Sequence, residues 1–177
     1  MSETDEIITL VDRQNQVIGD IPRRLMNFQQ DIHRVTFILV FTKQDTLLVQ
    51  KRTDTKAFCP GYFGITTGGV VAKDESYDLC ASRELEEELG VELTLSPQGM
   101  FFTEGEGFRI WGKVYTCQYD EALHGPLHLQ AKEVSEVREM RIQDILENTH
   151  NLPFTPDSYD ALLHYVNDNL KEHVHVP

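Results

Sequence analysis

Gly68-Gly69-Val70-Val71-Ala72-Lys73-Asp74-Glu75-Ser76-Tyr77-Asp78-Leu79-Cys80-Ala81-Ser82-Arg83-Glu84-Leu85-Glu86-Glu87-Glu88-Leu89-Gly90-Val91 is the segment on which the rest of the chain turns. Ser76 is placed to cap a helix, Asp78 falls in its first turn, and Gly90 supplies a left-handed stop. At 100° per residue Ala81, Leu85 and Leu89 share one side, suited to a core. Glu84, Glu87 and Glu88 form an adjoining i, i+3, i+4 group. Like charges at those spacings cost a helix about 0.2–0.5 kcal/mol per pair. Such a cluster is either well solvated or gathered to hold a cation.

Composition narrows the classes. A chain of 177 residues with 40% hydrophobic and 25% charged content suits one soluble domain with a full core, spanning residues 1–177. The formal net charge of −13 argues against a nucleic-acid polymer or an anionic membrane as partner. A phosphorylated small molecule is still open to it, if divalent metal and a few basic residues reverse the local sign. Cys59, Cys80 and Cys117 are odd in number and lack CxxC spacing, against a disulfide framework or a thiolate zinc site. The first residues are polar and acidic, without a signal-peptide pattern, and no apolar run reaches spanning length. A cytoplasmic location is the expectation.

Working outward, Ile7–Val11 and Val17–Ile21 read as an N-terminal hairpin, and Arg23–Asp31 as a short helix or loop. His33–Thr42 is too continuously apolar for a half-exposed strand and reads as a central one. Thr46–Arg52 is a second strand ending in two basic residues. Pro60-Gly61 marks a loop. Beyond the helix, Gly99–Thr103 and Arg109–Gln118 read as an antiparallel pair around Gly105-Glu106-Gly107. Leu127–Gln130 reads as an edge strand and Val134–Ile142 as a further strand. Helices are expected at Gln143–Asn148 and from Pro156, capped by Thr155, to about Leu170, before a frayed tail over Lys171–Pro177. The composite is a mixed α/β, or α+β, domain.

From Gly69 the pattern is glycine, five residues, Glu75, seven residues, then Arg83-Glu84-Leu85-x-Glu87-Glu88-x-Gly90-Val91. That resembles, position for position, the signature box of the Nudix hydrolases. The strand pair before it, the Lys51-Arg52 ending, the Phe58-x-Pro60-Gly61 loop and Glu133-x-x-Glu136 also look similar to that family. The resemblance implies a mixed sheet sandwiched between helices, and hydrolysis of a nucleoside diphosphate linked to another group, with Mg²⁺ or Mn²⁺. It implies Glu84, Glu87 and Glu88 as metal-binding carboxylates with the Gly68 carbonyl beside them, and Glu75 and Arg83 as structural within the site, Arg83 holding a carboxylate in a bidentate pair. For the general base it offers a box glutamate or a loop carboxylate, with Glu136 placed ahead of Glu133. Lys51, Arg52 and Arg109 are the candidate phosphate contacts, and Phe58, Tyr62 and Trp111 the candidate stacking groups. Many relatives of this kind pair as homodimers.

The surroundings also resemble isopentenyl-diphosphate isomerase, in the hairpin, the His33-Arg34 strand start and the Pro60-Gly61 loop. That enzyme needs a cysteine and a histidine where this chain has Thr67 and Gly69. A threonine hydroxyl cannot stand in for a thiol in protonation of carbon, and glycine ligates nothing through a side chain. The hydrolase reading is therefore preferred, with isomerase and non-catalytic binding module as its rivals. His33 is read as structural or as a peripheral substrate contact, Trp111 as sheet packing, and Cys80 as a small packing residue.

Overall fold

A computed structural model describes residues 5–173. Strand β1 (Ile7–Val11) and β2 (Val17–Pro22) pair antiparallel as the N-terminal hairpin. Asp12 closes its turn, its Oδ1 accepting from the N–H groups of Gln14 (2.8 Å) and Gln16 (2.9 Å). A short 3-10 turn at Arg23–Leu25 leads to β3 (Ile32–Thr42), which is buried along nearly its whole length, as an unbroken apolar run requires.

Strand β4 (Thr46–Arg52) folds back from β3, and β5 (Phe63–Gly64) pairs with β4. The hairpin of β6 (Ser96–Gly105) and β7 (Phe108–Tyr119) joins the sheet through β7, parallel to β3 over His33–Thr42. Strand β8 (Val134–Arg141) pairs antiparallel with β4, completing an eight-stranded mixed sheet.

Alternation along β3 sorts the core into two layers. Val35, Phe37 and Leu39 face α3 (Ile142–Leu146) and α4 (Pro156–His173), against Ile145, Ala161 and Leu162. Ile38 and Val40 face α1 (Tyr77–Leu89), against Ala81, Leu85 and Leu89. Burying each of these leucines stabilises the fold by roughly 1.5–3 kcal/mol. The sheet thus lies between helices, in the α+β class.

The caps of α1 stand where the sequence places them. Ser76 accepts from the Leu79 N–H at 3.2 Å, and Gly90 adopts φ 69°. Other readings need correction. Leu127–Gln130 is not a strand: its backbone satisfies the end of α1, His128 N–H donating to the Leu89 carbonyl (2.8 Å) and Gln130 N–H to that of Glu88 (3.2 Å). A short helix, α2 (Glu121–His124), follows β7 unforeseen, with Asp120 as its cap. Helix α3 starts one residue earlier than expected, at Ile142, and ends two earlier, at Leu146, and α4 reaches His173. Residues 174–177 of the expected frayed tail lie outside the described residues.

Candidate active site

The segment entering α1 runs beside β3. Thr67 and Ile38 exchange backbone hydrogen bonds (3.0 and 2.7 Å), Thr36 N–H donates to the Gly69 carbonyl (2.9 Å), and Val71 N–H to that of Arg34 (2.9 Å). Every second residue therefore binds β3, which turns Gly68 N–H the other way, to Glu88 Oε2 at 3.4 Å. Gly68 has φ +139°, and a Cβ there would lie 2.2 Å from the Thr36 carbonyl oxygen. A Cβ on Gly69 would lie 2.4 Å from Glu84 Oε1. The glycine pair is what allows the backbone to lie between β3 and the carboxylates of α1.

Arg83 organises the outer part of the cluster. Its Nε and Nη2 donate to the two oxygens of Glu75 (2.8 and 3.1 Å), so the carboxylate that Arg83 holds in a bidentate pair is that of Glu75. Its Nη1 reaches Glu84 (2.8 Å) and the half-exposed Glu87 (3.2 Å). Burial works against the charged form of Glu75, yet hydrogen bonds from Arg83 and the Ala72 N–H hold its pKa below the ordinary value. The inner carboxylates behave oppositely. Burial pushes Glu84 up to about 7, against the pull of Arg83 and with the repulsion of Glu87. Burial pushes Glu88 up to about 8, with added repulsion from Glu84 and Glu133.

Beside Glu88 opens a cleft of about 40 Å³ lined by Gln50, Arg52, Gly64, Thr66, Gly68, Glu88, Glu133 and Val134. That is room for a water or a cation, not for a whole nucleotide. A larger cavity of about 510 Å³, around the C-terminal ends of β3 and β7, is lined by Phe41, Thr116, Tyr165 and others and contains no box residue. Chemistry, not volume, locates the site.

The remaining candidates divide by strand face. Gln50 and Arg52 lie on the α1 side of β4, and Arg52 lines the cleft while its Nε donates to the Phe58 carbonyl (2.9 Å). Lys51 points to the other side, its Nζ 5.9 Å from the Phe63 ring centroid. Glu136 pairs across strands with Lys51 and is bound by Arg138, whose guanidinium lies 4.9 Å over the same ring. Glu136 is thus on the α4 face, away from Glu88, and the loop acid that enters the cleft is Glu133, held by Lys56. Of the two loop acids, Glu133 lines the cleft beside Glu88 and Glu136 does not. Arg109 is spent on Glu104 (3.0 Å) and the Gln30 carbonyl (2.8 Å), outside the cleft. Trp111 packs on Phe102 with ring centroids 5.8 Å apart. His33 is 2% exposed, edge-on to Phe28 at 5.5 Å.

Sequence reasoning missed Gln50, the polar interruption of Leu47-Leu48-Val49; its buried amide reaches Thr67 and, at 3.4 Å, Glu88.

As positioned, no three His, Cys, Asp or Glu side chains among the described residues gather round one point. Glu84 and Glu87 are drawn to Arg83, and Glu88 to Gly68 and Gln50. The donor set still suits a hard divalent cation: recessed carboxylates crowd on one helix flank, and their mutual repulsion is what a cation would relieve.

The NUDIX domain model matches residues 31–163. An uncharacterized Nudix hydrolase of Pseudomonas aeruginosa, PA4841, is 42% identical over 162 residues, covering 91% of this chain and 94% of that protein. The uncharacterized Nudix hydrolase YfcD of Escherichia coli is 39% identical over 167 residues, covering 94% and 89%. Among solved structures, DR0079 from Deinococcus radiodurans superposes with a TM-score of 0.75 at 21% identity, over 89% of this chain and 97% of that one. The NUDIX domain of Shewanella oneidensis NrtR, solved with ADP ribose, gives a TM-score of 0.58 at 20% identity, over 77% and 87%. Family model, curated relatives and fold agree with the box on α1, and the chain belongs to the Nudix hydrolases.

Proposed function

We propose that this protein is a divalent-metal-dependent pyrophosphohydrolase, which cleaves a nucleoside-diphosphate-like small molecule by attack of water on phosphorus. The observation that carries this reading is the pairing of recessed Glu84 and Glu88 against the Gly68-Gly69 backbone, next to a cleft containing Arg52 and Glu133. Glu84, Glu87, Glu88 and the Gly68 carbonyl are the groups that would hold the cation. Mg²⁺ or Mn²⁺ supplies Lewis-acid charge there and makes water more acidic.

The chain's own groups do the rest. Glu133 accepts a proton from the attacking water, the water oxygen bonds to phosphorus, and the bond from phosphorus to the bridging oxygen breaks, that oxygen leaving with the electron pair. Arg52 steadies a phosphate oxygen. Arg83, locked by Glu75, sets the orientation of Glu84 and Glu87. A cytoplasmic location belongs to the same proposal; among the described residues no helix is long and apolar enough to cross a membrane.

The isomerase reading loses support at two positions. Thr67 is fully buried with its hydroxyl engaged by Gln50, so the position that would need a reactive thiol is sealed. Gly69 has no side chain to ligate with, and one placed there would have to displace the Glu84 carboxylate. The test is incubation with Mg²⁺ and, separately, nucleotide sugars, dinucleotides, oxidised nucleoside triphosphates, coenzyme A and isopentenyl diphosphate. Monophosphate or phosphate release from one of the nucleotide classes supports the proposal. An allylic isomer from isopentenyl diphosphate, or no turnover at all, overturns it.

A further inference from the structure

Gln50 is a buried amide in a strand whose preceding residues, Leu47, Leu48 and Val49, are buried and apolar. An amide in that setting is costly unless its hydrogen bonds are made. One bond goes to the Thr67 hydroxyl, itself fully buried. A purely structural account stops there, and an apolar pair would fill the same space without polar groups. The second bond does not fit that account. Gln50 Nε2 also lies 3.4 Å from Glu88 Oε2, the same oxygen that faces Gly68 N–H at 3.4 Å. Two donors from different elements thus converge on one oxygen of Glu88, which directs the other away from them.

We infer that Gln50 is a positioning residue, which orients the Glu88 carboxylate for a divalent cation without neutralising it. The chemistry favours an amide for this task. A lysine or arginine at position 50 would supply its own positive charge and compete with the cation. An amide donates a hydrogen bond, carries no charge and does not titrate. Thr67 takes up the amide's other hydrogen, so no donor of the buried side chain is left unmet. This inference rests on the metal-site reading above.

The test is titration of the protein with Mn²⁺, read by the electron paramagnetic resonance of the free ion, which needs no substrate. The wild type, Glu88→Gln, Gln50→Leu, Thr67→Val and the double variant Gln50→Leu/Thr67→Val are compared, with melting temperatures alongside. The double variant removes both polar partners, so it keeps the comparison usable if the single leucine variant folds poorly. Tenfold or greater weakening of Mn²⁺ binding is expected in both variants lacking Gln50. Thr67→Val should change the melting temperature and leave Mn²⁺ binding within threefold of wild type. If the double variant binds Mn²⁺ as Thr67→Val does, Gln50 is structural only and the inference is overturned while the metal site stands. If the wild type binds no Mn²⁺, or Glu88→Gln binds it equally well, the metal-site reading fails and takes the inference with it.

Discussion

A methyl group at position 69 would intrude on the Glu84 carboxylate at 2.4 Å, so Gly69→Ala must displace either the loop or the acid. Misplacing a reacting group by about 1 Å can cost about a hundredfold in rate, and a fall of that order in kcat is expected in steady-state assays. The two loop acids make a sharper pair. Glu133→Gln should lower turnover about a hundredfold or more, as loss of a general base does. Glu136→Gln, on the α4 face with Arg138, should stay within a few-fold of wild type. Equal effects of the two substitutions would remove Glu133 from the role of base. The placement of Glu75, Arg83 and Glu84 was legible in the sequence because one helix and its entry loop carry them, and helical spacing is local. That Glu133 and Arg52 line the cleft while Glu136 and Lys51 do not was not legible there. Those choices depend on which strand face each side chain takes, and the β4–β8 register shifts between Lys51 and Arg52.

Helix α1 is both a core element and the carrier of the site, so its stability matters twice. Its start is fixed by one side-chain bond, Ser76 Oγ to the Leu79 N–H. Ser76→Ala should cost about 1 kcal/mol in urea unfolding, with the slope of the transition unchanged. No loss of stability would show that the bond contributes nothing. The far end of α1 is finished by non-local partners, the backbone N–H groups of His128 and Gln130. Local caps are written in the sequence and were read there. The Leu127–Gln130 strap was mistaken for an edge strand because an extended segment that caps a helix has the same residue preferences as one that pairs with a sheet. Helix α2 was missed because four residues are too few for a periodic signal.

Across the molecule, charge and burial set the response to pH. His33 is enclosed, and burial first, then Arg23, lowers its pKa from 6.5 to about 4. Between those values the unfolded chain binds the proton and the folded one does not. The contribution to stability is therefore complete above pH 6.5 and is lost as pH falls towards 4, about 3 kcal/mol in all. Urea unfolding of wild type and His33→Phe across pH 4–7 should give a stability difference that changes over this window, and a constant difference would contradict it. The mixed sheet and its sandwiching helices follow from patterns visible in the chain: a doubly buried run at β3, a hairpin before it, and an amphipathic α1 after the glycines. The joining of β7 to β3 in parallel is a non-local fact that no single stretch announces. The most direct test of the central claim is hydrolysis of an active nucleotide substrate in oxygen-18 water with Mg²⁺, the products being weighed by mass spectrometry. Attack on phosphorus predicts one oxygen-18 in a phosphate-bearing product, and turnover abolished by EDTA. Label in the group released without phosphate, or turnover undiminished by EDTA, would contradict it.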